Sequence, residues 1–163
     1  MTTKGLAAIA LTFGALIGVP TVAAQETTRT VTVAANKAWQ ATGIVLINKN
    51  YLDILYLSGK WKGSKDGALL GPGGPTSSTA GPSCLPSPKT PAGALIARIG
   101  SKVINLGVML AFAIKNPDST FGDVVRLDGV GPLSLRINDC DQWLADNSGS
   151  IQVQIKMSTG KDW

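Results

Sequence analysis

Oxygen-bearing side chains are concentrated in one short segment near the carboxyl end of the sequence. Asp139, Asp141 and Asp146, three of the chain's 10 acidic residues, lie close together there with Asn147 and the indole of Trp143. Calcium takes about six to eight oxygen ligands from carboxylates, amides and carbonyls, and a loop of this composition could supply several of them. The alternative is an ordinary polar loop whose Asp and Asn side chains cap their own turn.

Two segments with strict alternation flank this loop and must position it. Apolar side chains recur at every second position before the loop and after it: Leu133, Leu135 and Ile137, then Ile151, Val153 and Ile155. This period of two predicts two half-buried strands, with Ser134 and Arg136 on the face opposite the apolar one. An EF-hand is excluded, because its glycine and its final glutamate would be Leu144 and Ser150 here.

The remaining sequence predicts an all-β protein. The chain has 163 residues, only 15% of them charged, with 19 Gly and 9 Pro that separate short runs of apolar and β-branched residues. The third run, Leu52–Leu57, is expected to end at Ser58 and Gly59, and Val103–Leu106 and Val108–Ile114 are counted as strands. About seven to nine short antiparallel strands with frequent turns are typical of a β-sandwich.

The amino terminus has the three parts of a secretory signal. One lysine precedes the apolar run Gly5–Val19, and small residues follow, so we expect cleavage after Ala24. This predicts a signal peptide at 1–24, a single domain at 25–163, and a secreted or periplasmic protein. The apolar run is shorter than the roughly 20 residues of a membrane helix, so no membrane span is expected in the mature chain.

The two cysteines, Cys84 and Cys140, are expected to form a disulfide in an exported protein, with two buried free thiols as the alternative. Cys84 lies in the Gly/Pro-rich segment Lys62–Pro91, which is interpreted as a functional loop within one domain. A bridge to Cys140 would place that loop beside the acidic one. The sequence contains no histidine and no paired-cysteine motif, which argues against a zinc site.

The net charge of +5 does not indicate a nucleic-acid surface. Its basic residues are scattered, and only Lys60, Lys62 and Lys65 lie close together, without the dense patch and interleaved aromatics of such a surface. We therefore expect no nucleic-acid partner.

Several motifs resemble the PA-IL-type (LecA-like) bacterial galactose-binding lectins. They occur in the same order over most of the chain: Trp39 to Gly43, Gly59-Lys60-Trp61, Gly93 to Gly100, Asn138-Asp139, and Asp146-Asn147-Ser148-Gly149-Ser150. The resemblance implies a jelly-roll-type, galactose-binding-domain-like β-sandwich. It also implies a calcium-dependent protein that binds galactosides or other glycans and is not an enzyme. A homo-oligomer stays an open alternative.

The resemblance also implies roles for individual residues. Asp139, Asp146 and Asn147 match side chains that bind both calcium and sugar. Trp143 matches a backbone carbonyl ligand and could present its ring to the sugar; a second backbone carbonyl ligand falls near Ser64. The family's other sugar contacts come from a loop with a histidine and a glutamine, whose counterpart here lies in Lys62–Pro91.

Two other functions stay open from the residues alone. A small glycosidase could use Asp139 with Asp141 or Asp146 as paired carboxylates. An exported structural or protein-binding domain could have kept the fold without the sugar site, and the missing histidine favours this alternative.

Overall fold

A computed structural model describes residues 27–48, 50–75, 81–115 and 124–159. Within these ranges the chain forms eight strands, one α-helix and one 3₁₀ helix. In chain order the elements are β1 Thr27–Ala34, β2 Gln40–Leu46, β3 Asn50–Lys62, β4 Leu95–Ile99, β5 Lys102–Ile104, α1 Leu106–Lys115, β6 Val124–Asp128, β7 Gly131–Ile137, the 3₁₀ helix Asp141–Asp146, and β8 Ser148–Thr159. The signal peptide expected at 1–24 lies outside the described residues.

The strands make two four-stranded antiparallel sheets, in the orders β1-β8-β3-β6 and β2-β7-β4-β5. This arrangement confirms the predicted β-sandwich. β8 lies inside one sheet and β7 inside the other, so the loop between them crosses from sheet to sheet. The end of β3 and the start of β4 lie at the same end of the sandwich as this loop. Lys62 pairs with Ser148, the first residue of β8, and Leu95 pairs with Ile137, the last residue of β7.

The space between the sheets is filled by the alternating apolar side chains of the strands. Val33, Leu52, Ile54, Ile151, Val153 and Ile155 from one sheet pack in one core with Ile44, Leu46, Leu95, Ala97, Leu133, Leu135 and Ile137 from the other. Burial of apolar surface on this scale is the main favourable term in folding. It fixes the strand register at both ends of the crossing loop.

The prediction that β7 is half-buried is wrong. Ser134 and Arg136, on the face opposite the core, are buried as well. Arg136 is in register with the fully buried Ile96 of β4, and its guanidinium lies near the ring of Trp39. Alternation in the sequence shows that the two faces of β7 differ in polarity. Whether the polar face is exposed depends on what packs against the outer side of the sheet.

The third strand is longer than predicted. β3 does not end at Ser58 and Gly59 but continues to Lys62, after a register shift between Tyr56 and Ser58. A bulge absorbs the extra residue and bends the strand without ending its pairing. Trp61 is therefore a fully buried strand residue.

One helix replaces the strand expected at Val108–Ile114, whereas the strand expected at Val103–Leu106 is present as the shorter β5, Lys102–Ile104. α1 begins at Leu106, where the side-chain amide oxygen of Asn105 accepts a 3.2 Å hydrogen bond from the backbone N–H of Val108. That contact is a helix N-cap. Leu106 and Leu110, one turn apart, are fully buried. No helix in the described ranges is both long enough and apolar enough to cross a bilayer.

Candidate functional site

The candidate site lies at the end of the sandwich where β7 is followed by the 3₁₀ helix and β8. The predicted disulfide between Cys84 and Cys140 is present, with 5.3 Å between the Cα atoms, and it joins the Gly/Pro-rich loop to the acidic loop. The alternative of two free thiols is excluded. Cys140 directly follows Asp139 in the sequence, so the predicted ligand Asp139 is held next to a covalent crosslink.

Asn138 fixes a second part of the Gly/Pro-rich loop. Its side-chain Nδ2 donates to the carbonyls of Ser87, Thr90 and Pro91 at 2.9–3.2 Å, and its Oδ1 accepts from the N–H of Ser87 at 3.1 Å. The side chain is fully buried. A buried amide with all its groups bonded acts as a rigid connection between the two loops.

Asp139 follows, and it is also buried, at 5% exposure. Its Oδ1 accepts a hydrogen bond from the N–H of Cys140, and its Oδ2 accepts one from the Nδ2 of Asn147, each at 2.8 Å. The structure thus brings together Asp139 and Asn147, two of the three side chains predicted as calcium ligands.

Asn147 leaves one acceptor without a partner. Its Nδ2 also donates to the carbonyl of Ala35 at 3.3 Å, but its Oδ1 is buried and has no hydrogen bond. An unpaired buried acceptor costs about 1–3 kcal/mol, so such an atom calls for a ligand or an ion.

A cleft of about 160 Å³ opens beside Asp139. Ser64, predicted as a backbone ligand, lines the cleft together with Asp139. The other lining residues are small or apolar: Gly63, Gly67, Ala68, Leu70, Ala92 and Gly93. The two long loops therefore form one concave surface with a single acidic group.

The other two predicted site residues, Trp143 and Asp146, lie on the 3₁₀ helix, and neither they nor Asn147 line this cleft. Trp143 is 48% exposed, in agreement with the expectation that its ring is accessible. Asp146 is exposed and ends the 3₁₀ helix directly before Asn147. Asp146 is adjacent in sequence to Asn147, but the Asp146 side chain makes no hydrogen bond to the buried pair Asp139 and Asn147.

Asp141 has a different role from the other acids of the loop. Its Oδ1 accepts a 2.7 Å hydrogen bond from Nη1 of Arg136. Sequence reasoning placed Arg136 on an exposed face and missed this ion pair. An acid five residues after an arginine was the available signal, but pairing at that spacing requires a turn that the sequence does not specify.

Trp39 lies outside the hydrophobic core. It is half-buried, and its ring lies 4.6 Å from the guanidinium carbon of Arg98 and 5.5 Å from that of Arg136. Both contacts are within the range of cation–π attraction. Trp39 therefore covers two arginines on the outer face of the second sheet.

The residues present fit a calcium ion only if neutral oxygens contribute. The described residues include no cluster of three or more acidic, histidine or cysteine side chains able to hold a metal. Calcium accepts amide and carbonyl oxygens as readily as carboxylates. Asp139 and the free Oδ1 of Asn147 supply two ligands of the right kind, and the backbone carbonyls of Trp143 and Ser64 are the predicted additions.

The fold and this loop define a small antiparallel β-sandwich with a polar site at one end. Among solved structures, the chain is similar to one described as the EclA N-terminal domain, a PllA-like lectin. The two share 21% sequence identity with a TM-score of 0.52, over 77% of this chain and 92% of that chain. This likeness confirms that the chain has the fold that its sequence motifs predicted.

No family model matches the sequence, and no curated protein matches it. The shared fold therefore rests on the three-dimensional comparison. It does not by itself assign a ligand, because one fold supports many functions.

Proposed function

We propose that the protein is an exported, calcium-dependent carbohydrate-binding protein that takes galactose-type sugars. The observation that carries the proposal is the buried Oδ1 of Asn147, which has no partner and belongs to the side chain that hydrogen-bonds Asp139. A cation would satisfy this atom and the nearby carboxylate together. The disulfide supports export, since such bonds persist in oxidising compartments.

The proposed calcium ligands are Asp139, Asp146, Asn147 and the backbone carbonyls of Trp143 and Ser64. Bound calcium would supply coordination positions for two vicinal sugar hydroxyls. The carboxylates of Asp139 and Asp146 would accept hydrogen bonds from those hydroxyls, because an ionised carboxylate only accepts. The amide oxygen of Asn147 would hold the cation without adding charge.

The cleft next to Asp139 is proposed as the place where the sugar lies. Its walls of glycine, alanine and leucine suit the C–H surface of a pyranose ring. Trp143, half exposed on the neighbouring 3₁₀ helix, offers an aromatic face of the kind that packs on such surfaces. The chain has no histidine for the family's second set of sugar contacts, so preference among glycans is assigned to the cleft walls.

Isothermal titration with calcium, followed by a glycan array with and without a chelator, tests the proposal. We expect calcium binding by the wild-type protein, loss of most binding in Asp139→Asn, and galactoside binding that the chelator abolishes. Asp128→Asn is the matched control, because Asp128 is an exposed acid at the end of β6, away from the site. Equal calcium titrations for the wild type and Asp139→Asn would contradict the proposal.

A glycosidase is the less favoured function. In a catalytic pair one carboxylic acid protonates the leaving group and the other carboxylate acts as base or nucleophile, so both must be accessible to the substrate. Asp141 is held by Arg136 at 2.7 Å, and both oxygens of Asp139 already accept hydrogen bonds. Absence of hydrolysis of chromogenic glycosides is the expected result.

An exported protein-binding domain is the remaining alternative, and the missing histidine favours it. The glycan array separates the two, because such a domain would bind no glycan in calcium or in chelator.

A further inference from the structure

Arg136 is a buried cation within three residues of the proposed calcium ligand Asp139. Its side chain is 1% exposed and is one of the largest fully buried side chains of the protein. Burying a guanidinium is costly unless its donors are bonded and its charge is paired. Such a residue in a small domain is expected to organise the structure around it.

The guanidinium bonds three acceptors along the crossing loop. Its Nε donates to the carbonyl of Ile137 at 3.0 Å, and its Nη2 donates to the carbonyl of Asp139 at 2.7 Å. Its Nη1 donates to the carboxylate of Asp141 at 2.7 Å. The planar guanidinium acts as a rigid fork of donors. This fork connects the end of β7, the backbone of Asp139 and the first residue of the 3₁₀ helix.

Trp39 limits the movement of this fork. Its ring centroid is 5.5 Å from the guanidinium carbon of Arg136, at the favourable distance for a cation–π contact. The bonded arginine and the ring together hold the backbone of Asp139 from the side opposite the core. Neither Arg136 nor Asp141 contributes an atom to the proposed calcium site itself.

We propose that Arg136 is a positioning residue that sets Asp139 for calcium, and that Asp141 neutralises its charge. This inference rests on the proposed calcium-dependent function. A guanidinium that fixes the backbone carbonyl of Asp139 limits the directions in which the side-chain carboxylate of the same residue can point, so less conformational entropy is lost when the ion binds. Asp141 is thereby assigned to the arginine and not to the metal.

The neutralising partner matters because the arginine lies close to a cation site. Two positive charges near each other in a partly buried site repel strongly, since the effective dielectric constant is far below that of water. Asp141 cancels one of them at a distance of 2.7 Å. Removing the carboxylate while keeping the arginine should therefore weaken calcium binding, although no proposed ligand is lost.

Calcium dissociation constants for Asp141→Asn, Asp141→Glu and Arg136→Lys test this assignment. We expect Asp141→Asn and Arg136→Lys to weaken binding by about ten- to a hundredfold, the usual effect of losing a group that orients a metal ligand. Asp141→Glu keeps the negative charge, so this variant should bind calcium more tightly than Asp141→Asn does. Since Asp141 is 76% exposed, its variants test the proposal even if Arg136→Lys does not fold.

The chain offers a matched control in a second arginine–aspartate pair. Asp53 bonds Arg126 at 2.9 Å between β3 and β6, at the opposite end of β3 from the site. Asp53→Asn removes one carboxylate charge from a pair whose arginine is 65% exposed, so it controls for the loss of charge alone and should leave the calcium dissociation constant unchanged.

Hydrogen exchange in chelator supplies a readout that does not depend on calcium. Arg136→Lys should speed amide exchange in residues 138–147 and leave the exchange of β1 and β8 unchanged. Wild-type calcium affinity in both Asp141→Asn and Arg136→Lys, with binding lost in Asp139→Asn, would overturn this inference and leave the proposed function standing. Absence of calcium binding by the wild-type protein would overturn both.

Discussion

At the scale of single residues, buried polar atoms decide the form of the site. Asn138 uses both ends of its amide, Asp139 uses both carboxylate oxygens, and Asn147 keeps one oxygen free. A fully bonded buried group stabilises one arrangement, whereas an unbonded one invites a ligand. The contrast between the two asparagines separates a structural residue from a proposed calcium ligand.

Replacing Asn138 should destabilise the whole fold. In Asn138→Ala, backbone groups of Ser87, Thr90 and Pro91 lose their buried partner, so we expect a loss of about 2–4 kcal/mol in the free energy of unfolding. Urea denaturation followed by tryptophan fluorescence measures it. Gln152→Ala, at an exposed position of β8, should change stability by less than about 0.5 kcal/mol. Equal midpoints for the two variants would show that Asn138 does not hold the loop.

At the scale of elements, the pairing of β3 with β8 holds the backbone next to the candidate site in place. This ladder runs from Asn50 and Thr159 to Lys62 and Ser148, so the first residues of β8 are held directly after Asn147. At the site end, Gly149 pairs with Trp61 and has a φ of +85°. The close approach of the two backbones there needs a residue without a Cβ atom.

Gly149→Ala is expected to weaken this end of the sheet. A Cβ atom at 149 would lie 2.5 Å from the carbonyl oxygen of Lys60, and the positive φ adds strain for a residue with a side chain. We expect a loss of about 1–3 kcal/mol in unfolding free energy, measured by chemical denaturation. Gly71→Ala is the control, because a Cβ atom there meets nothing within 4 Å. A neutral Gly149→Ala would show that the β3–β8 contact relaxes easily.

At the scale of the molecule, the disulfide connects chain segments 56 residues apart. It closes a loop that includes β4, β5, α1, β6 and β7, and it joins the Gly/Pro-rich loop to the site. A crosslink over a long loop lowers the conformational entropy of the unfolded chain, which raises stability.

Reduction should therefore lower stability and loosen the site together. We expect the Cys84→Ser/Cys140→Ser variant to lose about 2–4 kcal/mol of unfolding free energy relative to the oxidised protein. Thermal denaturation with and without a reductant measures the effect, and the double variant should not respond to reductant. A reductant-insensitive wild type would contradict this prediction.

The sequence by itself determined the sandwich, the core positions of β7 and β8, and the loop that holds the candidate site. Alternation in β7 and β8 identified the core positions, because the side-chain period of a strand is fixed by backbone geometry. The cysteine pair and the acidic loop were also visible in the sequence. The helix α1 was missed because an apolar run with a single glycine fits a helix or a strand equally well.

Only the tertiary structure decided which polar groups meet. Asp141 looked equivalent to Asp139 and Asp146 in the sequence, yet it bonds a buried arginine, whereas Asp139 bonds Asn147. The burial of Arg136 depends on what packs over the outer face of its sheet, including Trp39. Such pairings depend on loop paths and on long-range packing, and local sequence patterns do not encode these. Strand periodicity therefore located the loop, and its hydrogen-bond partners separated the candidate ligands from the residues that hold them.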